Sequence, residues 1–224
     1  KVFKNLINIH IQNPKISSKN FNYVISPNHD NLSGDNVINS IGALHHLIKN
    51  NNSANPNLVT CIIGGDNKHY YFDNNEADKL CNKLIEIKNN QKNIELNIVT
   101  SRRTSDTVKK ILIKKLNNIS KIWIGEGKNP YMESIQKSSF FIVTSDSTSM
   151  ISEAAISGKP IYVYHLTFKR KSKRIENFHR EFSELGITKD IINFNHLTDW
   201  SYDSLNESER IAIIIKKKII KENI

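Results

Sequence analysis

Between Leu58 and Tyr164 the chain alternates apolar runs of β-forming residues with helical patterns, beginning and ending on a strand. Parallel strands need crossovers of this kind, and right-handed crossovers over both faces produce a doubly wound sheet. Most of the runs are continuously apolar, as in parallel strands covered on both faces. We therefore predict an α/β fold with a Rossmann-type, doubly wound parallel sheet. The predicted strands are Leu58–Ile63, Glu95–Thr100, Lys121–Gly125, Phe140–Thr144 and Pro160–Tyr164, and the helices are Glu76–Asn89, Ser105–Leu116, Tyr131–Lys137 and Ser147–Ser157.

The flanking regions carry fewer elements. Two strands are predicted before the alternating region, at Leu6–Gln12 and Asn22–Ser26, and they are too few for a sheet of their own. The polar stretch NNNSANPN, residues 50–57, is the best linker candidate because it contains a proline and separates two structured stretches. A long surface loop inside one domain explains the same stretch equally well. The remaining predicted helices are Ser40–Lys49, Arg174–Leu185 and Glu207–Lys221.

Charge and composition narrow the class of partner. Lys and Arg outnumber Asp and Glu by 32 to 22, which gives a net charge of +10 and favours anionic partners. Nucleic acid is the least supported of these, because the basic runs lack interleaved aromatic residues and no nucleic-acid-binding signature is present. The two cysteines, Cys61 and Cys81, lie in core-type patterns and favour a reducing, cytoplasmic compartment. No membrane span, signal peptide, metal-ligand spacing or cofactor motif is predicted.

Ligands of doubly wound sheets bind beyond the carboxyl ends of the strands, so the loops after the strands hold the candidate site residues. Gly64 and Gly65 follow the first strand of the alternating region and would let a ligand approach the backbone, although a plain tight turn also explains them. Arg102 and Arg103 follow the next strand and could form forked hydrogen bonds to a phosphate, or be a solvated pair. Two further candidates, beside a nucleobase, are Asn129 and Tyr131, where helix capping is the stronger interpretation.

The stretch TSDSTSMISEAAISG, residues 144–158, carries the most specific signal. Its candidates for phosphate binding at a helix start are Ser145, Asp146, Ser147 and Ser149. A single cap needs one hydroxyl, whereas this loop has five, and the free N–H groups and dipole of a helix start attract a phosphate. Glu153 lies one turn after Ser149 and could accept hydrogen bonds from a ribose diol. The alternative is a well-capped helix with an exposed glutamate.

Three further features lie outside these loops. His29 and Asp30 follow the short strand Asn22–Ser26 and form a candidate base and orienter for catalysis, although a local turn explains them as well. The basic run FKRKSKR, from Phe168 to Arg174, could close over a diphosphate, touch anionic lipid or be a solvated loop. The last helix, with an apolar face and a lysine cluster at Ile211–Lys221, is expected to pack back across the domains in preference to a membrane.

Six distinctive stretches occur in order over nearly the whole chain: PNHDNLSGDNVINSIGALH, IIGGDNKHY, VTSRRTSD, GEGKNPY, VTSDSTSMISEAAISGKPIYVY and FHREFSELGI. Together they resemble bacterial relatives of the plant mitochondrial fission Elm family. One departure is Lys128, where relatives commonly have an acid. The resemblance implies a GT-B-like architecture, with two Rossmann-type domains facing a cleft and the second one binding a nucleoside-diphosphate sugar.

On that basis the expected organisation has three parts. Residues 1–52 would be the end of an N-terminal Rossmann-like domain whose first sheet is absent, residues 55–200 the nucleotide-sugar domain, and residues 201–224 a C-terminal helix. The favoured function is a nucleoside-diphosphate-sugar enzyme, a glycosyltransferase or an epimerase. The alternative is a non-catalytic module that recruits a protein partner at a membrane surface. The expected location is cytoplasmic, with peripheral contact to an anionic inner membrane as an open possibility.

Overall fold

The computed structural model describes residues 6–49 and 54–222, and all strand pairs within its two sheets are parallel. The first sheet contains β1 (Ile9–Ile11), β2 (Tyr23–Pro27) and β3 (Val37–Ser40) in that order. The prediction that this region has too few strands for a sheet is therefore wrong. β3 was not predicted because it has only four residues, of which Asn39 and Ser40 are polar, so its apolar run is too short to indicate a strand.

The second sheet contains β4 (Asn55–Ile63), β5 (Glu95–Thr100), β6 (Ser120–Trp123), β7 (Ser138–Thr144), β8 (Ile161–Tyr164) and β9 (Thr188–Asp190). Their order in the sheet is β6-β5-β4-β7-β8-β9, which is the strand order of the dinucleotide-binding doubly wound fold. The predicted α/β class is thus confirmed. β9 was not predicted, because its three residues are all polar. After β4 the chain adds β5 and β6 on one side of this strand, and then crosses over to add β7 on its other side. The carboxyl ends of β4 and β7 therefore flank the crevice in which this fold binds ligands.

Helices cover both faces of this sheet. On one face of the sheet, side chains of α1 and α2 pack in a hydrophobic core with Val59, Cys61 and Ile63 of β4. On the other face, side chains of α3, α4 and α5 pack in a second core with Ile62 of β4. Cys61 and Cys81 are free and fully buried, as expected, and burial raises the pKa of the Cys81 thiol to about 11. The bounds are α1 (Asn74–Asn90), α2 (Asp106–Leu116), α3 (Tyr131–Lys137), α4 (Thr148–Ala155), α5 (Lys173–Glu184) and α6 (Glu207–Glu222).

The segment after β3 connects the two sheets and is not the predicted helix Ser40–Lys49. Gly42 lies there with φ +68°, and a Cβ at this position would be 2.7 Å from the Phe182 ring. The next residue, Ala43, donates its N–H to Ser152 Oγ at 2.9 Å. These long-range contacts replace the intrahelical hydrogen bonds. Residues 50–53 of the predicted linker lie outside the described ranges, whereas residues 55–57 belong to β4 instead of a linker.

The last helix, α6, packs on the first sheet. Its Ile211 and Ile215 are buried against the side chains of β2 and β3. Glu207, in its first turn, accepts the N–H of Ile41 at 2.8 Å, and Arg210 donates to the carbonyl of Asn39. Among the described residues there is no helix that combines the length and the apolar character needed to cross a membrane.

Candidate functional site

The carboxyl ends of both sheets face a cleft of about 440 Å³. One wall consists of the exits of β1, β2 and β3, and the other consists of the loop after β4 and the starts of α4 and α5. Two parallel sheets on either side of a cleft agree with the GT-B-like architecture expected from the sequence. Parallel strands place ligands at this edge, so the cleft is the candidate site.

The start of α4 points into the cleft. Ser147 caps the helix by accepting the N–H of Met150 at 3.4 Å, so it serves as the predicted cap. Thr148 and Ser149 line the cleft, and Ser149 is exposed. Their N–H groups belong to the first helical turn, which has no intrahelical acceptors. The helix fits closely on the sheet because Ala154 and Ala155 are fully buried.

The Asp146 carboxylate already occupies the glycine-rich turn after β4. It accepts the N–H of Gly65 at 3.0 Å and the hydroxyl of Thr144 at 2.6 Å, and it forms an ion pair of 2.7 Å with Arg103. Its side chain is completely buried. A Cβ on Gly64 would collide with this carboxylate. The chain therefore supplies its own anion at the position where the glycines were expected to admit a ligand.

This network changes the interpretation of five predicted site residues. Gly64 and Gly65 are needed for close packing, since a Cβ on Gly65 would collide with the Arg103 backbone. Asp146 and Arg103 neutralise each other. Ser145 is fully buried and accepts the N–H of Leu166 at 3.0 Å, so it joins β7 to the exit of β8. The prediction that these residues contact substrate directly is not supported by their contacts in the structure.

The two adjacent arginines have different environments. Arg103 also approaches the carbonyl of Gly65, at 3.4 Å, so most of its donors are directed inward. Arg102 is exposed and makes no side-chain hydrogen bond or ion pair within residues 6–49 and 54–222. Sequence reasoning could not tell the two apart. Arg102 is the one whose guanidinium remains free for a ligand.

Glu153 is positioned by a tyrosine. One of its carboxylate oxygens accepts a hydrogen bond from the Tyr131 hydroxyl, and burial together with this carboxylate strongly raises the pKa of the tyrosine. Asn129 accepts the N–H of Tyr131 at 2.9 Å, which is the capping role that the sequence favoured. The predicted residues Asn129, Tyr131 and Glu153 thus form one chain of contacts, in which Glu153 retains a second oxygen for a ligand.

His29 and Asp30 both line the cleft but do not form the predicted pair. Asp30 forms an ion pair with Arg174 of α5, and no hydrogen bond joins it to His29. His29 is 3% exposed, its ring packs on Phe178, and neither ring nitrogen has a hydrogen-bond partner among the described residues. Burial and the Arg174 charge lower the pKa of His29 to about 4. In this structure Asp30 therefore does not orient His29.

Several cleft residues were missed from the sequence. Lys15 and Lys68 line the cleft as single cations in loops, where no motif distinguishes them. Ser172 and Arg174 also line it, at the start of α5, where the basic run was the only signal. The described part of the chain contains no cluster of three His, Cys, Asp or Glu residues suited to a metal ion.

Comparison with known sequences agrees with the earlier resemblance. The sequence model of the family described as Mitochondrial fission ELM1 matches residues 1–219. Mitochondrial fission protein ELM1 of Arabidopsis thaliana is 26% identical over 258 residues, with 96% of this chain and 58% of the plant protein covered. Uncharacterized protein RP120 of Rickettsia prowazekii (strain Madrid E) is 33% identical over 225 residues, with 92% and 61% covered. The chain thus spans about three fifths of the length of these relatives.

Solved structures with a similar fold are distant in sequence. MurG of Acinetobacter baumannii has 11% identity and a TM-score of 0.47, covering 79% of this chain and 49% of that one. The S. aureus MnaA–UDP structure has 13% identity and a TM-score of 0.48, covering 75% and 46%. The UDP-GlcNAc 2-epimerase of Neisseria meningitidis, bound to UDP-GlcNAc, has 15% identity and a TM-score of 0.42, covering 71% and 44%.

Proposed function

The chain belongs to the mitochondrial fission ELM1 family, and from that premise we propose that its cleft binds a nucleoside-diphosphate sugar for a transfer or epimerisation reaction. The observation that carries the proposal is the start of α4. It presents the free first-turn N–H groups at Thr148 and Ser149 to a 440 Å³ cleft that also receives Lys15 and Lys68. Helix starts bind phosphate through such N–H groups and through the helix dipole.

The remaining groups suit the other parts of a sugar nucleotide. Glu153 lies one turn after Ser149, and its free carboxylate oxygen can accept hydrogen bonds from a ribose diol. Arg102 is free to contact the diphosphate. The Glu153 carboxylate would repel a phosphate placed next to it, so we expect both phosphates at the helix start and sugar hydroxyl groups beside Glu153.

His29 is the group of the opposite wall best suited to take part in chemistry. It is neutral at pH 7 because burial lowers its pKa, so the ring nitrogen that carries no hydrogen can accept a proton. Neither ring nitrogen has a hydrogen-bond partner among the described residues. In a transfer reaction, the acceptor oxygen would bond to the anomeric carbon and its proton would pass to His29. The carbon–oxygen bond to the β-phosphate would break, and the diphosphate would leave with the electron pair.

A nucleotide screen tests the binding step without knowledge of the acceptor. UDP, UDP-GlcNAc, UMP and the other nucleoside diphosphates are added in thermal-shift and calorimetric titrations. A ligand present at 100 times its Kd should stabilise the fold by about 2.7 kcal/mol. We expect diphosphates to bind better than monophosphates. If no nucleotide stabilises the protein at millimolar concentration, the proposal fails and the non-catalytic binding module becomes the better explanation.

The two arginines offer an internal control. Arg102→Ala should weaken diphosphate binding by about 1.5–3 kcal/mol with little change in stability, and Arg102→Lys should lose only part of this. Arg103→Ala should mainly reduce stability, because it leaves the buried Asp146 carboxylate without its cation. If the Arg102 variants lose as much affinity for UMP as for UDP, or lose none for either, Arg102 does not contact the β-phosphate.

A further inference from the structure

The loops around the cleft carry far more positive charge than one diphosphate needs. We define the cleft rim as residues 11–17, 28–30, 64–71, 101–104, 145–149 and 166–174, all of which follow strands at the cleft edge. These six segments contain nine Lys and Arg residues but only three acids, namely Asp30, Asp66 and Asp146. The net charge of the rim is a large part of the +10 of the whole chain.

Each acid of the rim is already neutralised by one rim cation. Asp30 pairs with Arg174, Asp66 with Lys169 and Asp146 with Arg103. The other cations have no acidic partner within the described ranges, and all of them are exposed. These unpaired cations are Lys15, Lys68, Arg102, Arg170, Lys171 and Lys173. A nucleoside diphosphate would contact only a few of them, so most of this charge is left without a role in the proposed function.

Exposed apolar side chains lie among these cations. Ile11, Ile16 and Tyr71 are 56%, 58% and 45% exposed. Ile11 and Ile16 flank Lys15 on one side of the cleft, and the Tyr71 ring lies 5.0 Å from the Lys169 ammonium on the other side. The aliphatic side chains Ile11 and Ile16 would contribute little to binding a polyanionic chain, whereas the interface of an anionic bilayer accommodates apolar side chains and cations together.

The rim is also held in shape before any partner binds. The loop after β4 pairs with the loop after β8, since Tyr71 donates its N–H to Thr167 at 2.9 Å and Lys169 donates to His69 at 2.8 Å. The Tyr70 and Phe168 rings stack with centroids 4.5 Å apart. The cations at 169–173 are thus presented by a paired, packed segment, which lowers the conformational entropy cost of docking.

We propose that the cleft rim docks on an anionic phospholipid surface, with Ile11, Ile16 and Tyr71 entering the headgroup region and the unpaired cations contacting lipid phosphates. The rival surface on this chain is the outer face of α6, where exposed Ile213 and Ile220 flank Lys216 and Lys217. That helix offers the same chemistry but lies away from the candidate site. The proposal is independent of nucleotide binding and can hold if nucleotide binding fails.

The test is vesicle co-sedimentation of the full chain with phosphatidylcholine vesicles, with and without phosphatidylglycerol, at low and high salt. We expect binding only to the anionic vesicles and weaker binding at high salt. The triple variant Arg170→Gln, Lys171→Gln, Lys173→Gln should lose more than about tenfold in partitioning, since each basic residue near an anionic surface contributes strongly. It should keep its affinity for UDP. The matched control, Lys216→Gln, Lys217→Gln, Lys221→Gln, removes the same charge and should lose less than about twofold.

A second pair of variants tests the apolar contribution. Ile16→Ser and Tyr71→Ser should lose the part of vesicle binding that persists at high salt, while Tyr71→Phe should keep it. Three results would overturn the proposal: no binding of the unmodified chain to anionic vesicles, equal losses in the two triple variants, or a greater loss in the α6 triple variant. Rim-dependent binding to heparin without vesicle binding would also overturn it and would assign the rim to a polyanionic polymer.

Discussion

Replacement of Asp146 by Asn tests whether the chain supplies its own anion at the exit of β4. The substitution keeps the size of the side chain but removes its charge. In the native protein the carboxylate receives three donors, from Gly65, Thr144 and Arg103. The Asn amide has only one acceptor oxygen, and its NH₂ group must face at least one of these donors.

The expected cost is about 2–4 kcal/mol of unfolding free energy. A hydrogen bond to a charged group is worth about 1.5–3 kcal/mol, and breaking a buried ion pair costs about 3–5 kcal/mol. The Arg103 side chain is 41% exposed and can turn toward water, so the lower part of that range applies. For a chain of 224 residues, each kcal/mol lowers Tm by about 2–4 °C, so the variant should melt roughly 5–15 °C below the native protein.

Urea unfolding followed by circular dichroism measures the difference, with Asp66→Asn as the control. Asp66 belongs to the same edge and pairs with Lys169, but its side chain is 49% exposed. Exposed ion pairs contribute about 0–1 kcal/mol, so this variant should unfold almost as the native protein does. A loss below 1 kcal/mol for Asp146→Asn, equal to that of the control, would refute the reasoning.

The same site permits a second measurement. Asp146→Ala leaves the Gly65 N–H, the Thr144 hydroxyl and the Arg103 guanidinium around an empty volume at the end of β4. Inorganic phosphate should then stabilise this variant more than it stabilises the native protein, because the phosphate replaces the lost carboxylate. An identical response of the two proteins to phosphate would show that the carboxylate does not occupy an anion position.

Three further predictions concern other parts of the site and the fold. Glu153→Gln should weaken nucleotide binding by about 1–3 kcal/mol in calorimetric titrations and leave unfolding nearly unchanged; unchanged affinity would return the glutamate to a structural role with Tyr131. Because folding lowers the pKa of His29 to about 4, the part of the unfolding free energy that depends on this histidine is complete above pH 6.5 and is lost as the pH falls toward 4. His29→Phe should reduce this loss of stability in acid, which we expect to be about 1–3 kcal/mol in urea titrations. A pH profile parallel to that of the native protein would contradict the assignment. Gly42→Ala should lower the unfolding free energy by about 3 kcal/mol or more, because its Cβ would collide with packed side chains. Gly127 has a similar φ of +70° with open space around it, so Gly127→Ala should lower it by only about 1–2 kcal/mol in the same assay. Equal losses of stability would mean that backbone strain alone explains both.

The local sequence determined the elements that have a long, regular pattern. β5 (Glu95–Thr100) and α3 (Tyr131–Lys137) have the predicted bounds. The alternation of strand and helix patterns from Leu58 to Tyr164 was sufficient to predict the doubly wound sheet. Periodicity is a property of neighbouring residues, so it can be read without knowledge of the fold. It failed at β3, β9 and the segment after Ser40, where short elements and a crossing chain depend on distant partners such as Ser152 and Phe182.

The candidate site shows the same division at finer detail. Because parallel strands end at one edge, the sequence determined which loops would meet, and it predicted that the start of α4, with Thr148 and Ser149, would lie at the ligand-binding edge, where these two residues line the cleft. Only the tertiary structure decided that Asp146 pairs with Arg103, that Asp30 pairs with Arg174 and that Lys15 and Lys68 face the same space. An ion pair between loops far apart in sequence depends on the distance between them, and that distance is fixed only when the sheets have assembled.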